Sequence, residues 1–309
     1  MNTVLRDGLK RRVERLQCLP SSPAVLQPLL ELLRQPSNRI DVKRVVQLVS
    51  YDKTIAAQCL RIANSPLYGR ARETESIHAA VVSLGIQRVE DILMTCCLHK
   101  FSSGAKWASD SGVFWRHSLG CATVSRELAD RIDYSDPEKA YLAGLLHDLG
   151  VLVNSLAYPE EYGAVLKTAA EKGIPLEEQE MQDLGFSHCE SGKILGAMWK
   201  LPRSIVEVIA FHHSLQAAPE DNPVIALVHI SDALCRLRGL GHGYDEWRSV
   251  DLAADPAWPA LRKHCPQIEK MDLARFTMDL DAFVPRVQAL VEAVFTAPKP
   301  EQPEVSSVL

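Results

Sequence analysis

Apolar residues recur at intervals of three and four along almost the whole chain, and the strict alternation a half-buried strand needs is nowhere sustained. The pattern predicts an all-α protein. Val25, Leu26, Leu29, Leu30 and Leu33 form one helical stripe, ended by Pro36, Ser37 and Asn38. Asp41 is placed to cap a helix with Val42, Val45, Val46 and Val49 inward, and Asp52 to cap another carrying Ile55, Ala56, Cys59, Leu60 and Ala63. Ser76 starts a short helix that Gly85 closes, and a longer one follows through Val89, Ile92, Leu93, Cys96 and Cys97.

The small, polar, glycine-bearing stretch 102–112 reads as a boundary between two helical subdomains. Beyond it a helix runs from about Phe114 to Ile132. Asp136 and Pro137 then give an N-cap and an N1 proline for a helix predicted to end at Gly150, with Ala143 and Gly144 keeping the surface small and leaving room for an ion. Ser187 and Glu190 have capping-box spacing, which would project His188 from a first turn. Pro202 and Asn222–Pro223 start two further helices. The expected organisation is a multi-helix bundle: an N-terminal helix in 1–18, helical subdomains at 19–108 and 109–240, and a C-terminal extension, 241–309. That extension holds one helix, Asp281 to Phe295, and a tail from Thr296 expected to be disordered.

An apolar share of 47% over 309 residues suits an ordinary packed core. Charged residues make up 24% and nearly balance at a net charge of -5, so no basic surplus points to nucleic acid or an anionic membrane. The basic cluster Lys10, Arg11, Arg12, Arg15 reads as a solvated helix face. Eight cysteines without a CxxC pair read as free thiols, and neither a signal-peptide pattern nor a long apolar span is evident. A cytoplasmic location is therefore expected.

Candidate chemistry lies in LLHDLG, residues 145–150. A buried, unpaired carboxylate costs on the order of several kcal/mol, so Asp148 asks for a partner. His117, His147, His188, His212, His213 and Asp232 also fall on or beside apolar stripes, whereas His78 and His99 lack partners at ligand spacing and read as ordinary histidines. Neutral imidazoles and carboxylates suit Fe, Mn or Zn, with Fe or Mn favoured, and a helical bundle can bring single ligands to one centre. His117, His147, Asp148 and Asp232 could hold one ion, with Asp148 bridging to a second held by His188, His212 and His213. The competing reading is a metal-free polar core.

The order H, HD, H, HH, D over residues 113–236 resembles the HD superfamily of metal-dependent phosphohydrolases, in the fuller ligand set of its HD-GYP branch. LPSSP at 19–23, RIANSPLYG at 61–69 and SIHAAVVSLG at 76–85 resemble the HDOD family. The resemblance implies an all-α bacterial signalling module, its second subdomain HD-like, acting by binding a signalling protein or a small phosphorylated ligand. The alternative it implies is a phosphohydrolase acting on a nucleotide or cyclic nucleotide. Against the cyclic-dinucleotide phosphodiesterases, Val151 replaces a lysine that contacts phosphate or supplies a proton. Val113 stands where an extra Glu ligand can occur, and SLQAAPEDNP follows His213 in place of GYP. Asn64, Ser65 and Tyr68 match the family pattern and read first as turn chemistry, with a groove between the subdomains as the other role.

Overall fold

The structure, a computed structural model, describes residues 2–16, 23–32, 34–35, 41–69, 73–103, 107–108, 110–242 and 251–295. Among the described residues every regular element is a helix, as the periodicity requires. Most of LPSSP, Leu33, the Pro36–Asn38 stop and the tail from Thr296 lie outside them.

The first part comprises α1 (Asn2–Leu16), α2 (Leu26–Leu32), α3 (Val42–Ser50), α4 (Lys53–Ala63), α5 (Ile77–Leu84) and α6 (Ile86–Ser102). Its capping residues act as expected: Asp41 accepts from the Lys43 N–H at 2.9 Å, Asp52 from Thr54 and Ile55, and Ser76 from Ala79 at 3.1 Å. Each such cap is worth about 1 kcal/mol. Asn64 clamps the loop after α4, its amide donating to the Thr74 carbonyl at 3.0 Å and its oxygen accepting the Thr74 N–H at 2.7 Å. Its turn role is thus a two-bond closure. The Tyr68 hydroxyl reaches that of Tyr141 at 3.3 Å, tying the same loop to the helix that follows Pro137.

The second part is α7 (Ser111–Arg131), α8 (Pro137–Leu146), α9 (Leu149–Ala157), α10 (Pro159–Lys172), α11 (Leu176–Asp183), α12 (His188–Met198), α13 (Arg203–Phe211) and α14 (Pro223–Leu237). Here α7 packs on α8 and α14, and α12 lies between α9 and α13. The apolar run 137–157 is long and apolar enough to cross a membrane by composition, contrary to the sequence reading, but 89% of its window is buried in the protein. All seven described cysteines are buried and unbridged.

Four local expectations are corrected. The helix opened by Pro137 stops at Leu146, not Gly150, and α9 begins at Leu149 after a turn at His147 and Asp148. The Ser187–Glu190 capping box does not form: the Ser187 side chain makes no cap bond, and the His188 N–H goes to Glu180 instead. Of the basic cluster, Lys10, Arg11 and Arg15 are exposed as expected, but Arg12 is half-buried, its guanidinium donating to the Ala157 carbonyl at 2.8 Å and lying over the Tyr158 ring. Finally, among its described residues the extension holds three α-helices, α15 (Ala257–His264), α16 (Leu273–Asp279) and α17 (Val284–Val294), where one was expected. The first two are short and rich in charge, which hides their few buried anchors, Trp258, Leu261 and Phe276.

One apolar core runs without interruption from Leu9 to Phe295. Helix α17 packs on both α4 and α7, and Phe295 stacks on Trp115 at 4.7 Å. Full burial of such large side chains contributes roughly 1.5–3 kcal/mol each, enough to make the last described helix an integral wall.

Candidate metal centre

Two close approaches place the turn between α8 and α9. A Cβ on Gly144 would lie 2.7 Å from the Cys121 carbonyl oxygen of α7, so the space predicted for an ion is taken by helix–helix contact. A Cβ on Gly150 would lie 1.7 Å from the His188 carbonyl oxygen, so Gly150 is the seat of α12, not a helix stop. The elbow is wedged between α7 and α12, and it turns His147 and Asp148 toward the start of α12, the end of α13 and Asp232 within α14.

Five imidazoles surround the buried Asp148. Its Oδ1 faces Nε2 of His188 at 3.5 Å and of His212 at 3.4 Å. Its Oδ2 faces Nε2 of His147 at 3.3 Å, His117 at 3.4 Å and His242 at 2.9 Å. Asp232, from α14, lies 3.3 Å from His117 Nε2 and pairs with Arg236 at 3.1 Å. His213 is partly buried at the rim, its ring 4.1 Å from that of His212 and 5.1 Å from that of His188. Two sets of donor atoms cluster within 4.8 Å of one another, His117, His147 and Asp148 in one, and Asp148, His188, His212 and His213 in the other. All seven residues singled out in the sequence therefore meet, with Asp148 common to both sets.

Four of these rings are held by their other nitrogen. His147 Nδ1 donates to the Gly144 carbonyl at 2.7 Å, His117 Nδ1 to that of Leu240 at 2.9 Å, and His212 Nδ1 to that of Val208 at 3.1 Å. His188 Nδ1 donates to the Glu180 carboxylate at 2.7 Å. Glu180 is fully buried, also accepts the His188 backbone N–H at 2.7 Å, and is fixed by Tyr162 at 2.6 Å. With Nδ1 protonated, a neutral ring turns the Nε2 lone pair inward.

That arrangement fits a cation. His117 and His147 point their Nε2 atoms at each other at 3.1 Å, two lone pairs that repel unless positive charge lies between them. The Nε2 atoms of His188 and His212 are buried with no hydrogen-bond partner. Donors about 2.1 Å from an ion stand roughly 3.0–3.4 Å apart, which matches the spacings around Asp148. Burial opposes charge on Asp148, but His147, together with the ring nitrogens of His212 and His242 set against its oxygens, holds it well below the usual carboxylate range. Burial likewise opposes charge on His147 and His188, yet Asp148 and Glu180 respectively draw them well above the usual imidazole value. An ion binding here displaces the protons that these two rings otherwise hold, whereas burial and the neighbouring His212 and His188 keep His213 well below the usual imidazole value.

Three residues of this centre escaped the sequence reading. Glu180 sits in LEEQEMQD, where an acidic run reads as a solvated face. His242 lies just past the expected boundary at 240; burial, then the neighbouring His117, pushes its pKa down to about 4, so its ring is neutral and donates Nε2–H to Asp148. Arg236 follows Asp232 by one helical turn, a spacing that could have flagged it. A cleft of about 390 Å³ opens onto this group, lined by His117, Asp148, His188, His213, Asp232 and Arg236, with Glu177 and Glu178 on its wall.

An all-helical bundle with its histidines and aspartates gathered at a helix elbow defines an HD-like protein. The chain belongs to the HDOD family, whose domain matches residues 19–215. It is 29% identical over 234 residues to an uncharacterised protein of Treponema pallidum (strain Nichols), covering 72% of this chain but 43% of that protein. The chain thus spans less than half the length of that relative. An HDOD domain protein of unknown function from Geobacter sulfurreducens superposes with a TM-score of 0.79 at 27% identity, covering 94% of this chain and 99% of the other. A candidate phosphohydrolase from Shewanella amazonensis SB2B shares the fold at a TM-score of 0.69 and 22% identity, covering 92% and 97%.

Proposed function

We propose that this chain is a regulatory HDOD module whose His/Asp centre holds one or two divalent ions, Fe or Mn in preference to Zn, and reads a small phosphorylated ligand there. The observation that carries the reading is the convergence of four Nδ1-anchored imidazoles on one buried carboxylate. His117, His147, Asp148 and Asp232 would hold one ion, and His188, His212 and His213, with Asp148 shared, another. A bound dication supplies a Lewis acid for a phosphoryl oxygen.

The protein's own groups bind and orient. Arg236, on the cleft wall, offers guanidinium N–H groups to phosphate oxygens while keeping Asp232 in place. Glu180 and the backbone carbonyls fix the rings, so ligand binding need not reorganise the centre. Ligand at this centre bears on α12, α13 and α14 together, which gives a route to a signalling partner. A second reading, a phosphohydrolase, is favoured by the opening of the cleft onto the centre.

Metal analysis of the full chain purified anaerobically tests the first claim. Less than about a tenth of an equivalent of Fe, Mn or Zn overturns it, as does full occupancy in Asp148→Ala or His147→Ala. Phosphate release from nucleotides or cyclic dinucleotides that vanishes in Asp148→Ala would replace the regulatory reading with the enzymatic one.

A further inference from the structure

Across His242 from the metal centre lies a second cavity of about 290 Å³. His242 is a wall of both. A series of rings leads inward from it: Trp107 touches Phe114 at 5.5 Å, Phe114 faces His242 at 6.4 Å, and His242 packs on His117 at 4.1 Å. Val113, Val151 and Leu166 add to the apolar lining.

The polar groups give the cavity its chemistry. Ser155 is 1% exposed and lines the cavity, and its hydroxyl has no hydrogen-bond partner. A helical serine commonly satisfies its hydroxyl on a carbonyl one turn back; here a buried donor and acceptor is left for an occupant. Lys167 lies at the edge, its side chain 76% exposed. Aromatic rings with one buried hydroxyl suit a flat ring that stacks and has a hydrogen-bonding edge. An alkyl chain would leave Ser155 unsatisfied.

The geometry points to a subsite for a nucleobase, formed by Trp107, Phe114 and Ser155, with its sugar passing His242 and its phosphate at the metal centre. This deepens the proposed function, since it rests on a phosphorylated ligand at that centre, and it narrows that ligand to a nucleotide with a single phosphate group near Arg236. The acidic Glu177 and Glu178 on the wall of the metal cleft disfavour a polyphosphate.

The test is calorimetric titration of the full, Mn-loaded chain with adenosine, guanosine, their 5′-monophosphates, ribose 5-phosphate and hexyl phosphate. The monophosphates should bind at least about tenfold tighter than ribose 5-phosphate, the size of effect expected for one stacked base. Trp107→Ala and Ser155→Ala should each remove most of that advantage while leaving ribose 5-phosphate binding and metal content unchanged, and Trp107→Phe should restore it. Trp107 is partly exposed, so its variants remain informative if Ser155→Ala does not fold. Monophosphates that bind no tighter than ribose 5-phosphate, or hexyl phosphate that binds as well as they do, overturn the subsite and leave the metal reading standing. Nucleosides that bind in a Trp107-dependent way while ribose 5-phosphate does not bind keep the subsite and remove the phosphate reading. No binding by any ligand removes both.

Discussion

Glu180 receives both the backbone N–H and the ring Nδ1–H of His188, each at 2.7 Å and each on the same carboxylate oxygen. One buried charge thereby starts α12 and aims its first imidazole at Asp148. Glu180→Gln keeps the volume and removes the charge. It should weaken Mn affinity about 10- to 100-fold, the usual cost of losing a partner that orients a metal-binding histidine. Competition titration against a fluorescent chelator measures this, and an unchanged affinity would refute the role given to Glu180.

Gly150→Ala sets two effects against each other. Alanine is favoured inside a helix by about 0.5–1 kcal/mol over glycine. Its Cβ, however, would meet a backbone oxygen at 1.7 Å, which no rotamer can relieve. The clash should win, with a loss of about 3 kcal/mol or more, seen as a lower urea midpoint. A neutral or stabilising result would contradict the seating of α12 on the elbow.

Glu90 makes stability depend on pH. It is buried on α6 with one carboxylate oxygen lacking a hydrogen-bond partner, and burial raises its pKa from the usual 4.5 to about 7. The folded chain therefore holds this proton more tightly than the unfolded chain does. Its contribution is fully present below about pH 4.5 and is lost as pH rises to about 7; the swing is about 3 kcal/mol. Glu90→Gln should flatten this part of the stability profile between pH 5 and 7 and raise stability at pH 8. Parallel denaturation profiles for the two proteins would rule the account out.

Phe295→Ala probes the attachment of α17. Phe295 is 4% exposed, stacks on Trp115 and lies edge-on to His99 at 4.9 Å. Its loss should cost about 3–5 kcal/mol and raise hydrogen exchange first in α17. Exchange rising equally throughout the chain would mean that α17 does not loosen separately.

The all-helical class, the helices of the first part with their Asp and Ser caps, and the seven His/Asp candidates were legible in the sequence because each is a local signal, whereas the helices between Leu149 and Asp183 and the first two of the extension were not. Periodicity marks an inward face, Asp or Ser before an apolar run marks a start, and a polar residue on an apolar stripe marks a buried group. His117, Asp148 and Asp232 stand out in that way without any knowledge of the fold. Tertiary structure alone decided that the helix breaks at His147–Asp148, because the two glycines beside the break answer to the backbones of α7 and α12 rather than to their own neighbours. It also brought in Glu180 and His242, one hidden in an acidic helix and the other in a glycine-flanked segment with no periodicity. Sequence spacing records which face a residue takes; which distant segment closes on it is set by packing and by the cost of leaving buried charge unpartnered.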